Sequence, residues 1–339
     1  MSDTKYTFKD FKSDNEVRWC PGCGDYGILT AVQRAMAELE DIEHENHAVI
    51  SGIGCSSRFP YYMNTFGFHT IHGRAAAIAS GVKCANPKLM VWQISGDGDA
   101  MAIGGNHFIH AIRRNIDMNM IVFNNKIYGL TKGQYSPTSD RGSVTKTSPF
   151  GTVENSFNVG QLVLGAGGTF FARTMDVNLK HNQKMCLEAA KFKGAAIVEV
   201  LQNCVIFNDG IHFEITKSEN KKDKQLFLEH DKPMIYGENN NLGLMLDRKG
   251  KIVSVEIGKD GITEADILVH DAHCEDSHIH NHLINMALPD FPIAFGVIRA
   301  TKSPSYDQCM EEQANEIAHK SKIHNMDELM NAGDTWTVE

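Results

Sequence analysis

Several short runs of this chain are apolar almost from end to end: 47–53, 89–95 (LMVWQIS), 118–123 and 195–201 (AAIVEVL). A strand with one face in water alternates polar and apolar residues, so strands without that alternation are buried on both faces. Between them lie stretches of helical spacing, at 27–39 (Ile28, Val32, Ala35, Met36, Leu39), 74–84, 102–114 and 178–193. Buried strands joined by helices make a parallel sheet with helices on both faces, which places the chain in the α/β class. The 339 residues have room for about two domains of roughly 150 residues each. The alternation occupies 27–208, preceded by an N-terminal segment, 1–26. A lysine-rich stretch (KSENKKDKQ), the polar turn GENNN and a charged tail mark 209–339 as a smaller C-terminal extension.

Composition narrows the partners. A net charge of −9 argues against nucleic acid, because phosphate binding calls for a basic surface. No apolar run approaches the roughly 20 residues that a bilayer requires. The opening MSDTKYTFKD has no apolar core of a signal peptide. A soluble, cytoplasmic protein without a membrane partner is expected. In that compartment the eight cysteines do not read as a disulfide framework. Cys84 and Cys186 lie in helical runs and read as small core hydrophobes, as do Cys274 and Cys309. Cys20, Cys23, Cys55 and Cys204 have different neighbours.

A doubly covered parallel sheet binds ligands at the carboxyl ends of its strands. The unusual residues follow the strands: Gly52-Ile53-Gly54-Cys55, then Gly96-Asp97-Gly98, then Asn124-Asn125, then Cys204. A carboxylate at one strand end and an amide oxygen at the next can share a hard divalent cation with a diphosphate. Glycines let the backbone approach the phosphates, and a helix starting near Ala102 would aim its first N–H groups at their charge. Gly-Asp-Gly alone is also turn chemistry. With Asn-Asn following and 25 residues between Gly98 and Asn124, the pattern points to thiamine diphosphate with magnesium.

The pair Cys20-Pro-Gly-Cys23 puts two thiolates on one metal centre, and zinc or an iron–sulfur cluster needs four. A zinc ribbon would show a second such pair, which the sequence lacks. A thioredoxin-type redox pair would follow a strand and open a helix, whereas this one lies in the N-terminal segment. A second cysteine–histidine grouping, His270, His273, Cys274, His278, His280 and His282, has the composition of a zinc site. It reads better as a helix capped by Asp276 or Ser277 with histidines on a wet face.

Together WCPGCGDYG, GIGCSSR, HTIHGRA, GDGDAMAIGGNH, NNKIYGLTKGQYSPTS and the isolated Cys204 resemble the beta subunits of 2-oxoacid:ferredoxin oxidoreductases, particularly the 2-oxoglutarate type. The resemblance runs over 19–209 and implies the pyrophosphate domain of a thiamine diphosphate-binding fold. It implies one [4Fe-4S] cluster on Cys20, Cys23, Cys55 and Cys204, and magnesium on Asp97, Asn125 and the Ile127 carbonyl. Contacts to thiamine diphosphate would come from Ile53, Gly54, Cys55, Ser56, His72, Gly96, Asp97, Gly129 and Leu130. The implied reaction is oxidative decarboxylation of a 2-oxoacid with coenzyme A, electrons leaving through the cluster to a ferredoxin. With 2-oxoglutarate the product is succinyl-CoA; pyruvate or a branched-chain 2-oxoacid is the alternative. A dicarboxylic substrate needs cations for its far carboxylate, and Arg58 and Lys132 are the candidates. The carboxylate that activates the aminopyrimidine is expected on an alpha subunit carrying the pyrimidine-binding domain, in a dimer of heterodimers.

Overall fold

The computed structural model describes residues 6–338. Along the chain come α1 (Asp25–Ala37), β1 (His47–Ser51), β2 (Phe66–His69), α2 (Ala75–Ala85), β3 (Met90–Gly96), α3 (Asp97–Met101), α4 (Gly105–Arg113) and β4 (Met118–Asn124). A short hairpin, β5 (Ile127–Tyr128) and β6 (Gln134–Tyr135), precedes α5 (Val159–Gly165), β7 (Phe170–Met175), α6 (Leu179–Lys191) and β8 (Ala195–Leu201). There follow α7 (Phe213–Thr216), β9 (Gln225–Phe227), β10 (Ile235–Tyr236), β11 (Leu242–Leu246), β12 (Ile252–Glu256), α8 (His278–Asn285), β13 (Ile293–Ala300), α9 (Tyr306–Lys320) and α10 (Met326–Met330).

The main sheet has the order β2-β1-β3-β4-β8-β7-β13-β9. From β2 to β7 its pairs are parallel. Successive side chains of a strand face opposite sides, and here they divide into two cores. Trp92, Ile94, Ile121, Phe123 and Val198 pack with Ile28, Val32 and Met36 of α1 and Met185 and Ala189 of α6. Their neighbours Val91, Met120, Val122 and Ile197 pack on the other face with Ala79 of α2, Ile112 of α4, Val163 of α5 and Ile284 of α8. Among the described residues no helix is long and apolar enough to cross a membrane.

Three features depart from the sequence pattern. The helix expected over 102–114 is α4, beginning at Gly105, and a separate short helix, α3, starts directly at Asp97, the chain breaking at Ala102 (φ −82°, ψ −106°) between them. Glycine allows the close return of the chain after the break, since a Cβ on Gly104 would lie 2.3 Å from the Asp99 carbonyl oxygen. Second, β7 carries an arginine inside a wholly buried strand. Arg173 stands opposite Glu199 of β8 in register, and its Nε donates to Glu199 Oε2 at 2.7 Å. Third, the stretch beyond 208 adds β13, antiparallel to β7, and then β9 to the main sheet. Its Leu226, Leu228 and Ala294 belong to the same core as α2 and α4.

The remaining cysteines and histidines have ordinary structural places. Cys186 is buried and Cys84 half-buried, whereas Cys309, read as a core residue, is exposed on α9. Three ring nitrogens of the histidine-rich stretch meet main-chain carbonyls: His270 that of Val297, His273 that of Ala300 and His280 that of Asp271. The first two bonds tie the segment before α8 to β13, and the third ties α8 back to that segment.

The buried ion pair yields a stability prediction. Glu199 Oε1 also accepts from the Asn124 side-chain amide at 2.7 Å. Arg173→Met leaves Glu199 buried without its cation and is expected to destabilise the chain by about 3–5 kcal/mol in urea unfolding. Adding Glu199→Gln, which removes the charge and keeps the bond to Asn124, should recover much of that loss.

Candidate active site

A cavity of about 520 Å³ opens where β1, β3 and β4 end, within the range of small-molecule and cofactor sites. Ile53, Gly54, Cys55 and Ser56 line it from the loop after β1, and His72 from the segment before α2. Gly96, Asp97, Gly98 and Asp99 line it after β3, and Asn125, Ile127, Tyr128, Gly129 and Leu130 after β4. Gly54 has φ +137°, which L side chains rarely adopt. Gly98 admits no substituent, because a Cβ there would stand 2.4 Å from the Tyr128 ring.

Two aspartates organise the polar wall. Asp97 is buried; Ser136 Oγ donates to its Oδ2 at 2.6 Å, and Thr138 Oγ1 donates to the same oxygen. Burial pushes the Asp97 carboxyl up to about 6, while these hydroxyls and nearby backbone N–H groups pull the other way. Thr138 Oγ1 also lies 3.0 Å from Asn124 Oδ1, a second acceptor for its single proton, so one hydroxyl sits between the ends of β3 and β4. The Asn125 side-chain oxygen accepts from the Ile127 N–H at 3.1 Å. Asp99, equally buried, accepts from the Ile53 N–H, the Gly73 N–H, His72 Nδ1 and the Ser95 hydroxyl.

The thiols gather beside this cavity. Cys20 is exposed, and Cys23, Cys55 and Cys204 are half-buried; all are free. A Cβ on Gly129 would lie 3.5 Å from both Cys55 Sγ and Cys204 Sγ, so the absent side chain leaves room between two sulfurs. Burial pushes the Cys55 thiol up to about 12, with Asp25, Cys204 and Cys20 adding to it and Arg58 opposing. Burial likewise raises Cys23, helped by Asp25, Cys204 and Cys55. The N-terminal segment is pinned there: Trp19 Nε1 donates to the Cys55 carbonyl at 2.7 Å, and Gln202 Nε2 to Cys23 Sγ at 3.4 Å. The Cys20–Cys23 pair directly precedes α1, and among the described residues no strand comes before it. No group of three or more His, Cys, Asp or Glu among the described residues is spaced to hold a single metal ion.

Comparisons with known proteins bear on this arrangement. A model of the thiamine pyrophosphate enzyme C-terminal TPP binding domain matches residues 52–200. The 2-oxoglutarate oxidoreductase subunit KorB of Mycobacterium tuberculosis is 44% identical over 335 residues, covering 98% of this chain and 88% of that protein. The chain belongs to the beta subunits of 2-oxoacid:ferredoxin oxidoreductases. Subunit beta of 2-oxoacid:ferredoxin oxidoreductase 1 from Aeropyrum pernix is another relative, 46% identical over 213 residues, covering 63% of this chain and 65% of that one. A solved structure, 2-oxoglutarate:ferredoxin oxidoreductase from Magnetococcus marinus with 2-oxoglutarate, coenzyme A and succinyl-CoA bound, matches with a TM-score of 0.77 at 31% identity, covering 99% of this chain and 98% of that chain.

The residues present fit this beta-subunit family's diphosphate cofactor. Ser56 Oγ is buried without a hydrogen-bond partner and lines the cavity, where a phosphate oxygen would complete it. Arg58 and Lys132 stand apart from the lining side chains. Arg58 is half-buried in the 3₁₀ turn Ser56–Tyr62, and Lys132 is exposed at φ +75°.

Asp25, Asp99, Tyr128, Ser136 and Thr138 were not singled out by sequence pattern. Asp25 lines the cavity with Oδ2 unpartnered, and burial, then the neighbouring Asp176 carboxyl, pushes it up to about 7. The repeated acid in Gly-Asp-Gly-Asp was the one available sign of Asp99. Thr138→Val keeps the shape and removes the hydroxyl shared by Asp97 and Asn124. It is expected to weaken thiamine diphosphate binding by about tenfold, as read by calorimetry.

Proposed function

We propose that this chain is the beta subunit of a 2-oxoglutarate:ferredoxin oxidoreductase, forming succinyl-CoA and carbon dioxide from 2-oxoglutarate and coenzyme A. The observation that carries the reading is the shared wall between cavity and thiols. Cys55 lines the cavity, and the Gly129 Cβ position touches both Cys55 and Cys204 sulfurs. A cofactor in the cavity and a cluster on the thiols would therefore be next neighbours. Bound there, thiamine diphosphate would supply the carbanion chemistry and a [4Fe-4S] cluster the one-electron outlet, toward a ferredoxin.

The chain's own residues would hold these groups. Asp97, Asn125 and the Ile127 carbonyl form the set for magnesium, hard oxygen donors at adjacent strand ends. Ser56 and His72 offer polar groups to the cofactor, and Gly54, Gly96 and Gly129 leave room for it. Cys20, Cys23, Cys55 and Cys204 form the cluster's thiolate set, and these thiols would lose their protons on binding iron. Ile53 and Leu130 line the cavity and are exposed; Ile71, next to His72, and Ile103, next to Gly73, are exposed too. Exposed apolar side chains there support docking of the alpha subunit with its pyrimidine-binding domain, in a dimer of heterodimers. Arg58 and Lys132 are proposed as cations for the distal carboxylate, reaching it when substrate and alpha subunit complete the site.

Cys204→Ser in anaerobically purified complex is expected to drop iron below about four per chain while leaving the unfolding midpoint near that of the unaltered complex, because Cys204 itself belongs to none of the hydrophobic cores. Unchanged iron would remove Cys204 from the ligand set. For substrate choice, Lys132→Ala and Arg58→Ala should each lower kcat/KM for 2-oxoglutarate by about 2 kcal/mol more than for pyruvate, roughly thirtyfold. Equal losses with both acids would assign the two cations to the cofactor or the fold.

A further inference from the structure

Resting on the cofactor reading of the cavity, we propose that Asp99 is a positioning residue that sets the orientation of His72 toward the diphosphate. Asp99 is 2% exposed and stands two residues beyond the acid assigned to magnesium. A carboxylate offers about four lone-pair sites, and four donors meet this one. Oδ1 accepts from the Ile53 N–H at 3.0 Å, the Gly73 N–H at 2.7 Å and His72 Nδ1 at 2.7 Å. Oδ2 accepts from Ser95 Oγ at 2.8 Å, itself held by Gln93 Nε2 at 2.6 Å. The carboxyl group thus joins the loop after β1, the turn before α2 and the end of β3.

A carboxylate can only accept, so the ring nitrogen facing it carries the proton. His72 Nδ1–H is then committed to Asp99, and Nε2 is the nitrogen left for the cavity that His72 lines; to meet a diphosphate oxygen, which also only accepts, Nε2 must carry a proton of its own. Tyr128 limits the ring from another side, its centroid 6.1 Å away at an interplanar angle of 68°. Sequence makes room for the contact: a Cβ on Gly52 would lie 1.8 Å from Asp99 Oδ2, and one on Gly73 would lie 2.5 Å from the Gly104 nitrogen. Orientation of an imidazole by a buried carboxylate on its other nitrogen is how proteins fix which ring nitrogen faces a ligand.

The test is a double-variant cycle of Asp99→Asn and His72→Ala in the complex with the alpha subunit, read by calorimetric titration with thiamine diphosphate and magnesium. Each single replacement is expected to weaken binding by about tenfold to a hundredfold. The pair should lose no more than the larger single loss, because one residue acts through the other. Additive losses would overturn the proposal. A second readout needs neither variant nor cofactor: the ¹⁵N spectrum of histidine-labelled unaltered complex should show His72 protonated at Nδ1. A His72 unprotonated at Nδ1 overturns the proposal even if Asp99→Asn fails to fold. If the unaltered complex takes up no thiamine diphosphate, the cofactor reading fails instead, and the imidazole spectrum still decides what Asp99 does.

Discussion

Because β1, β3, β4 and β8 are covered on both faces, their side chains are committed to packing and almost none is free for chemistry. Polar groups of a parallel sheet become available only where the strands stop, and the stops of adjacent strands lie side by side. Here β1, β3 and β4 end within reach of one another, and the loops that leave them cannot avoid sharing space. Glycine at 52 and 98 is the consequence: a Cβ would clash with Asp99 at the first and with Tyr128 at the second. The site follows from crowding at a strand edge as much as from any single reactive group.

Burying charge at that edge requires partners, and the structure supplies them unevenly. Arg173 and Glu199 neutralise each other across adjacent strands, and Asp99 is surrounded by donors. Asp97 has two hydroxyls on one oxygen and is still pushed up by burial, so a cation beside it would relieve a desolvated carboxylate. Asp25 retains an orphan oxygen between cavity and thiols. Of the three acids that line the cavity, Asp97 and Asp25 are left incompletely matched, whereas Asp99 is held by four donors. That contrast is what a ligand site looks like before its ligand arrives.

Much of this was legible in sequence because buried strands and strand-end glycines leave local signatures. The strands at 47–51, 90–96, 118–124 and 195–201 follow from unbroken apolar runs, and the spacing from Gly98 to Asn124 locates two adjacent strand ends. Strand β7 was hidden because Arg173 interrupts its apolar run, and only Glu199, a partner in register on β8, makes that arginine acceptable in a core. Strand β13 was hidden by distance along the chain: it reaches the sheet after more than ninety residues of other structure, counted from the end of β8 at 201 to 293. Asp99 was hidden for a related reason. Its four partners come from three separate segments, and no local pattern records such a convergence.

The position of Arg58 shows how closely the two halves of the site are coupled. It shares the turn after β1 with Cys55 and Ser56, one a thiol of the proposed cluster and the other an orphan hydroxyl of the cavity. Its charge favours the thiolate form of Cys55, opposing the burial that raises it. A cation in this turn therefore acts on the thiol side whatever it also does for a substrate. The Cys55 carbonyl is held by Trp19, so the same turn is anchored to the N-terminal segment that brings Cys20 and Cys23. Moving any one of these groups displaces the others, because a single short loop serves as the floor of the cavity and the roof of the thiol set.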